Sequence, residues 1–173
     1  KSNLSLAPEL IRKRLEQIAI RKNGRVFNTI TGRRIAAILP VHVFGIPAEL
    51  FKIKKLADDW GLPIVEDAAE ALGSRHHIKE NKYIHCGLNG DLGVISFNGN
   101  KLITTGGGGV IITNNKELAL KCRHLSTTAK KKHLWKFDHD EIGWNDRMPN
   151  INAALGIAQL EVIDRRLSQK IIL

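Results

Sequence analysis

Two stretches of the sequence carry residues that could do chemistry. In "SFNGNKLITTGGGGV" (residues 96–110), Lys101 stands between two glycine-bearing segments, and in "EDAAEA" Glu66 and Asp67 follow an apolar stretch. The glycine run lacks both the GxxxxGK[ST] and the GxGxxG order, so it is weak as a nucleotide motif. Its glycines can instead permit tight turns and close backbone approach. Taken alone, Lys101 is better explained as a solvent-exposed loop lysine, and the acids as a helix cap or a turn.

The elements around these residues alternate between strand and helix. Residues 35–45 are apolar and β-branched and predict a buried strand. Residues 47–61 predict an amphipathic helix, because a proline suits a first helical turn and a glycine ends helices. Residues 62–71 supply a second short strand, which completes a βαβ unit with parallel strands. The helix should bury the apolar residues that recur at helical spacing: Leu50, Ile53, Ala57 and Trp60.

The pattern continues on both sides of this unit. "GVISF" and "GGVIITN" predict strands, "KELALKCRHLS" predicts a helix, and residues 148–167 predict a helix with an apolar face. The polar opening predicts one helix over residues 7–18, followed by a turn around Asn23 and Gly24. We therefore expect an α/β fold with a mostly parallel sheet flanked by helices, forming a single domain over residues 1–173. The apolar face of the last helix comprises Ile151, Ala154, Leu155, Ala158 and Val162.

Composition limits the class of protein. With 173 residues, 43% of them hydrophobic, the chain can form one domain with a sizeable core. It contains no apolar run of the roughly 18 to 20 residues that a membrane helix needs, and its basic opening lacks the apolar core of a signal peptide. We therefore predict a cytoplasmic protein that does not contact a membrane. Cys86 and Cys122 lack metal-ligand spacing and are expected to be ordinary thiols.

The net charge of +10 leaves three interpretations open. The run "AKKKHLWK" (residues 129–136) could follow a nucleic-acid backbone, because a basic face suffices for that electrostatic attraction. A solvated, mobile segment is the plainer interpretation and the one we favour, with no nucleic-acid partner. Alternatively, the excess charge steers an anionic small molecule toward a site.

Four motifs taken together are much more specific than any of them alone. "PVHVFG", "IVEDAAEALGS", "GDLGVISFNGNKLITTGGGG" and "HDEIGWNDRMPNINAALGIAQLE" occur in the order typical of one enzyme family. The chain, from about Asn3 to about Asp164, closely resembles the DegT/StrS family of pyridoxal-phosphate-dependent sugar aminotransferases. It looks most like the branch that aminates nucleotide-linked 4-keto-6-deoxy sugars for legionaminic acid, bacillosamine or perosamine. The resemblance implies part of the large domain of a fold-type I pyridoxal-phosphate enzyme.

The resemblance also assigns the residues singled out above. Lys101 matches the lysine that forms a Schiff base with the cofactor aldehyde and then shuttles a proton. Asp67 matches the acid that keeps the ring nitrogen protonated, so that the ring accepts electron density. Ser96 matches a hydroxyl that contacts the cofactor phosphate, or else is a plain strand-end serine. Glu70 matches a position near the cofactor's ring oxygen or the substrate, or else is a solvated acid at a helix start.

Other positions imply a dimer or depart from the family pattern. Asn145 matches an asparagine that reaches the cofactor phosphate of the neighbouring subunit, so a homodimer or larger assembly is expected. Asp146 stands where relatives generally have an aromatic residue, and an acid near a phosphate is repulsive unless it points away. "CGLNGDLG" also departs from the usual Gly-Thr-Phe-Gly-Asp order. His42 either faces the site or is a satisfied structural histidine, and the structural alternative is favoured.

The resemblance implies an aminotransferase that moves an amino group from L-glutamate to the keto carbon, C4, of a nucleotide-linked 4-keto-6-deoxy sugar. Family enzymes are more than twice as long, with an earlier cofactor-phosphate loop and a later small domain. We therefore expect this chain alone to self-associate and to be a poor or inactive enzyme. A non-catalytic remnant is the alternative. A sugar dehydratase of the same family is disfavoured, because those members replace the lysine with histidine.

Overall fold

The structure of the protein is a computed structural model that describes residues 4–172, apart from the side chains of residues 171 and 172. Asn3, where the family resemblance begins, lies outside the described residues. The chain forms two compact units, residues 1–95 and residues 96–173. This division does not test the expectation of a single domain, which stays a prediction.

The first unit opens with a helix and a small antiparallel sheet. Helix α1 (Pro8–Ile18) confirms the helix predicted over residues 7–18, and a proline occupies its first turn. Strands β1 (Ala19–Lys22), β2 (Arg25–Asn28) and β3 (Arg34–Ile35) follow and pair in that order. The predicted turn joins β1 to β2, where Asn23 and Gly24 both have positive φ angles. The sheet itself was not predicted, because its strands are short and mostly polar.

Residues 35–45 do not form the regular strand that their composition predicted. After β3, the chain makes only isolated parallel bridges from Ile38 and Val41, and a 3₁₀ turn then covers Val43–Gly45. The prediction of a continuous strand is therefore wrong. Pro40 supplies a physical reason, because a proline has no N–H to donate to a strand ladder.

The parallel direction of the βαβ unit is confirmed. Helix α2 (Leu50–Trp60) begins three residues after Pro47, with Glu49 at its N-cap, so the prediction that Pro47 occupies its first turn is wrong. The helix ends at Gly61, whose left-handed backbone (φ 66°) forms the predicted C-cap. Strand β4 (Val65–Asp67) then runs parallel to the bridge-forming residues that precede α2. The buried face of α2 packs into the main apolar core of the unit, formed by Leu15, Val26, Ile38, Ala48, Leu50, Ile53, Leu56, Ala57, Leu62 and Ile64.

The rest of the first unit is a hairpin and a parallel strand. Strands β5 (Arg75–Lys79) and β6 (Lys82–His85) pair antiparallel, and they were not predicted. Strand β7 (Leu92–Ser96) confirms the "GVISF" prediction and pairs parallel with β4. The two strands bring the backbone segments around residues 66 and 93 side by side, which positions the acidic residues considered below.

The second unit contains one short strand and three helices. Strand β8 (Gly109–Ile112) and helix α3 (Lys116–Ser126) confirm their predictions, and Asn115 caps α3 by accepting two backbone N–H bonds. The helix predicted over residues 148–167 is two helices, α4 (Asn150–Leu160) and α5 (Ile163–Ile172).

The predicted apolar face of the last helix does not face the core of this unit. Ile151 is 81% exposed and Leu155 is 46% exposed, whereas Gly156 is buried. The inward face of α4 instead carries Asn152 and Gln159, which bind a neighbouring loop through hydrogen bonds. The periodicity was correct for a helix but indicated the wrong face, because polar contacts fix the orientation of α4.

Candidate functional site

A buried carboxylate lies beside the proposed ring-binding acid. Glu66 is fully buried at the middle of β4, and its two oxygens accept four hydrogen bonds. Oε2 accepts from His42 Nε2 at 2.9 Å and from the Gly87 N–H at 2.7 Å. Oε1 accepts from the N–H groups of Asn89 and Gly90 at 2.8 and 2.5 Å. Glu66 therefore ties the loop before α2 and the turn before β7 to β4.

The hydrogen bonds around Glu66 assign the tautomer of His42 and lower the pKa of the Glu66 carboxyl. The Ala48 N–H donates to Nδ1 of His42 at 3.0 Å, so the hydrogen-bond network assigns the ring proton to Nε2, which donates to Glu66. Burial by itself raises the pKa of the Glu66 carboxyl. The hydrogen bonds from His42, Gly90 and Gly87 outweigh burial, and the pKa is lowered from its usual value. His42 thus matches the structural alternative.

Asp67 lies on the opposite side of β4 from Glu66, because successive side chains of a strand alternate. It is half-buried at the end of the strand, and its Oδ1 accepts the Ala69 N–H at 3.0 Å. The backbone on both sides of it is paired, since its N–H donates to Pro40 and its carbonyl accepts from His42. A rigid carboxylate at a strand end can hold a cationic ring nitrogen.

Glu70 lies three residues further on, and its side chain is exposed. Its Oε2 accepts the backbone N–H of Phe44 at 2.8 Å. The contact shows that the Glu70 carboxylate is directed toward the 3₁₀ turn Val43–Gly45. Its predicted position near a cofactor oxygen is not tested by this contact.

Lys101 and Ser96 belong to the second unit. Lys101 is half-buried in a turn in which its N–H donates to the Asn98 carbonyl at 3.1 Å. Ser96 ends β7, and its Oγ accepts the Asn98 N–H at 3.2 Å. Lys101 and Ser96 therefore flank one short turn, and the backbone of Asn98 is hydrogen-bonded to both residues. The cofactor roles predicted for these two residues stay predictions.

Three polar side chains, which sequence reasoning missed, hold the segment after Lys101. Gln159 binds both the N–H and the carbonyl of Thr104, and Asn152 donates to the Thr105 carbonyl at 2.6 Å. Arg166 donates to the Leu102 carbonyl at 3.3 Å and to Oε1 of Gln159 at 2.9 Å. Asn152 and Gln159 lie seven residues apart on α4, and Arg166 follows after another seven residues on α5. This regular spacing of polar residues within an apolar helical pattern is the signal that could have found them.

Asn145 and Asp146 lie on the surface of the second unit. The backbone at Asn145 bridges antiparallel to Thr127, and the Asp146 N–H donates to the Ser126 carbonyl at 3.0 Å. Both side chains are exposed. Asn145 is thus presented outward on a strand-like segment whose backbone is held in place.

The basic run is a surface loop in the second unit. Residues 131–140 are all exposed, and Lys130 Nζ lies 3.7 Å from the centroid of the Phe137 ring. This placement agrees with the solvated interpretation of the run. Of the cysteines, Cys86 is buried and Cys122 half-buried, and both are free thiols. Burial raises the pKa of Cys86 to about 12, so this thiol is inert.

Comparison with known proteins decides the family. Residues 17–172 match the model of the DegT/DnrJ/EryC1/StrS aminotransferase family. The chain belongs to this family. The match covers the lysine turn, the acidic strand end and the helices that follow them.

Curated relatives and a solved structure agree with this membership. The chain is 44% identical over 134 residues to GDP-perosamine synthase of Escherichia coli O157:H7, covering 78% of this chain and 35% of that protein. It is 39% identical over 137 residues to a UDP-4-amino-4,6-dideoxy-N-acetyl-beta-L-altrosamine transaminase of Campylobacter jejuni, covering 79% and 35%. A crystal structure of a DegT DnrJ EryC1 StrS aminotransferase from Brucella abortus matches with a TM-score of 0.76 and 27% identity, covering 94% of this chain and 40% of that one.

These matches confirm the predicted fold, an α/β arrangement from the large domain of fold-type I aminotransferases. The chain spans about a third of the length of the curated relatives it matches. Among the described residues, none of the helices combines the length and the apolar character that crossing a lipid bilayer requires.

Proposed function

We propose that the protein is a pyridoxal-phosphate-dependent nucleotide-sugar aminotransferase. In this reaction an amino group passes from L-glutamate to the keto carbon, C4, of a nucleotide-linked 4-keto-6-deoxy sugar. The observation that carries the proposal is the family match, whose range, residues 17–172, includes both Asp67 and Lys101. The names of the two relatives contain different nucleotides, GDP and UDP, so the proposal does not specify the nucleotide of the substrate.

The chain has side chains whose functional groups match those of pyridoxal phosphate. Pyridoxal phosphate offers an aldehyde, a basic ring nitrogen and a phosphate, and the chain offers a lysine amine, a strand-end carboxylate and a serine hydroxyl at the matching motif positions. When bound, the cofactor supplies an electron sink that stabilises negative charge on the substrate carbon. Lys101 would hold the cofactor covalently through its Nζ and move a proton at the reacting carbon.

The remaining roles follow from the placement of each side chain. Asp67 would keep the ring nitrogen protonated, because an ionised carboxylate beside a pyridine nitrogen favours its charged form. Its half-buried position and paired backbone limit its movement. Ser96 would donate its hydroxyl proton to a phosphate oxygen. Glu70 would lie near the ring oxygen or the substrate.

The proposal includes a homodimer in which Asn145 contacts the cofactor phosphate held by a second copy. Asn145 is exposed, and its neighbours Ile142 and Trp144 are exposed apolar residues at 84% and 56%. Apolar side chains beside an outward amide are suited to burial against another subunit. Sedimentation at micromolar concentration should give a dimer or larger assembly, whereas a compact monomer would contradict this part of the proposal.

Reductive trapping tests the cofactor assignment. The purified chain is incubated with pyridoxal phosphate, reduced with borohydride, digested and analysed by mass spectrometry. The label should lie on the peptide that contains Lys101, and Lys101→Ala should abolish it. Lys132→Ala, which changes an exposed lysine of the basic run, is the matched control and should keep the label. A label spread over many lysines would exclude specific binding.

A further inference from the structure

Phe44 has a backbone conformation that bulky residues rarely adopt. Its φ and ψ angles are 54° and 26°, within the left-handed region that favours glycine. The side chain gains no burial in compensation, because it is 75% exposed. Strained residues of this kind persist where the surrounding structure determines them, and they concentrate at ligand sites. Packing in the apolar core therefore does not explain the strained conformation of Phe44.

Two contacts determine the conformation. The Phe44 N–H donates to Oε2 of Glu70 at 2.8 Å. Gly45, with φ 75°, lies so close to the next segment that a Cβ would meet the Glu70 carbonyl oxygen at 2.9 Å and Ser74 Oγ at 3.2 Å. The turn is thus held against residues 70–74 by a charged hydrogen bond and by a glycine that has no side chain to prevent the approach.

This turn lies at the edge of the sheet where the proposed ring-binding acid is found. Val41 forms a parallel bridge with Asp67, and the His42 N–H donates to the Asp67 carbonyl at 3.0 Å. Phe44 follows two residues after His42, so it lies beyond the carboxyl end of the same parallel pair. Ligands of open α/β sheets bind at this end.

We propose that Phe44 is a ligand-contacting residue whose exposed ring packs against the planar ring of pyridoxal phosphate, and that Glu70 is a positioning residue that holds Phe44 there. The inference rests on the proposed function, because the planar ring is that of the proposed cofactor. An aromatic side chain suits this contact, since offset or edge-on packing of two rings stabilises them beyond simple area burial. The expected contribution is about threefold to tenfold in cofactor affinity.

Phe44→Gly separates this role from a structural one. Glycine adopts the left-handed conformation without strain, so the variant should unfold at the same or a higher urea concentration than the parent chain. Its dissociation constant for pyridoxal phosphate, measured by absorbance titration, should rise about threefold to tenfold. Phe44→Tyr keeps the ring and should bind as the parent does. Unchanged affinity in Phe44→Gly, or a loss in Phe44→Tyr equal to that in Phe44→Gly, would overturn the inference.

Glu70 is tested through its dependence on Phe44. Glu70→Ala should weaken cofactor binding in the parent chain more than it does in the Phe44→Gly background, because the part of its effect that acts through the Phe44 side chain is absent from that background. Equal losses in both backgrounds would overturn the positioning role. Tyr83→Leu, at an exposed aromatic on the β6 hairpin strand, is the control and should not change the affinity.

The outcomes distinguish this inference from the proposed function. If the parent chain takes no label at Lys101, the proposed function fails and the inference fails with it. If the parent is labelled at Lys101 while Phe44→Gly binds as tightly as the parent, only the inference fails.

Discussion

Nε2 of His42 lies 2.9 Å from Oε2 of Glu66, and neither side chain reaches solvent. The carboxylate also accepts three backbone N–H groups, from Gly87, Asn89 and Gly90. A buried charge with all of its hydrogen bonds made is stable only while its partners remain. Glu66, the residue next to the proposed ring-binding acid Asp67, therefore holds separate segments of the first unit together.

Glu66→Ala should lower the free energy of unfolding by about 3 to 5 kcal/mol, because it leaves a buried histidine N–H and three backbone N–H groups without an acceptor. Glu66→Gln should also destabilise the chain, since its amide would turn a donor toward groups that are themselves donors. Urea unfolding followed by circular dichroism measures both effects. Glu80→Gln, at an exposed position of the hairpin turn, should change the free energy by less than about 0.5 kcal/mol.

His76 should make the protein less stable in mild acid. Its Nε2 is buried without a hydrogen-bond partner among residues 4–170, and burial, reinforced by His42, lowers the pKa of its ring from the usual 6.5. The unfolded chain takes up the proton below pH 6.5 while the folded chain does not. The free energy of unfolding should therefore fall as the pH drops below 6.5, by up to about 1.4 kcal/mol per pH unit.

His76→Leu should remove this part of the pH dependence and should not destabilise the chain at pH 7.5, because the unpaired nitrogen is removed with the ring. Urea unfolding at pH 7.5 and 5.5 gives the comparison. His77→Leu, on the same strand but exposed, should keep the dependence of the parent. An equal slope in His76→Leu and the parent would contradict the prediction.

Gly93→Ala should disrupt the pairing of β7 with β4. A Cβ at this position would lie 2.1 Å from the Gly87 carbonyl oxygen, and the obstacle is backbone rather than a flexible side chain. The strand or the turn must shift, which should cost about 3 kcal/mol of stability. Gly99→Ala is the control, because a Cβ there meets no atom within 4 Å, and it should unfold as the parent does.

Gln159→Leu should loosen the segment that follows the proposed catalytic lysine. The Gln159 amide accepts from the Thr104 N–H and donates to its carbonyl, and the leucine would leave both backbone groups without this partner. Hydrogen exchange should become at least about tenfold faster at residues 102–105, corresponding to a loss of about 1.4 kcal/mol of local stability. Leu160→Ala, at a 45% exposed position of α4, should leave that exchange rate unchanged.

Much of the fold could be predicted where apolar periodicity coincided with clear end signals. Helix α2 follows this rule at its Gly61 end, and helix α3 was predicted with the bounds that the structure shows. The irregular backbone around Pro40 was not predicted, because the apolar, β-branched pattern of residues 35–45 favours a strand more strongly than a single proline opposes it. The small antiparallel strands were missed, because their short polar sequences carry no alternation that distinguishes them from loops.

The site was predictable only as a set of motif positions. The motif order pointed to Asp67 and Lys101, but not to the contacts that hold them. The Glu66 network depends on N–H groups 21 to 24 residues away, and no local pattern reports a contact at that distance. The orientation of α4 was likewise misjudged, because hydrophobicity cannot show that Gln159 binds a loop 55 residues earlier.

The residues of α4 and α5 that hold the segment after Lys101 are synthesised later than that segment. Leu102 receives its bond from Arg166, a residue 64 positions further along the chain. At roughly 5 to 20 residues per second, a ribosome needs about 3 to 13 seconds to add that length. During this interval the Lys101 amine has already been made, while the side chains that order the segment behind it have not. A nascent chain therefore carries the Lys101 amine before it can order the segment that follows that residue.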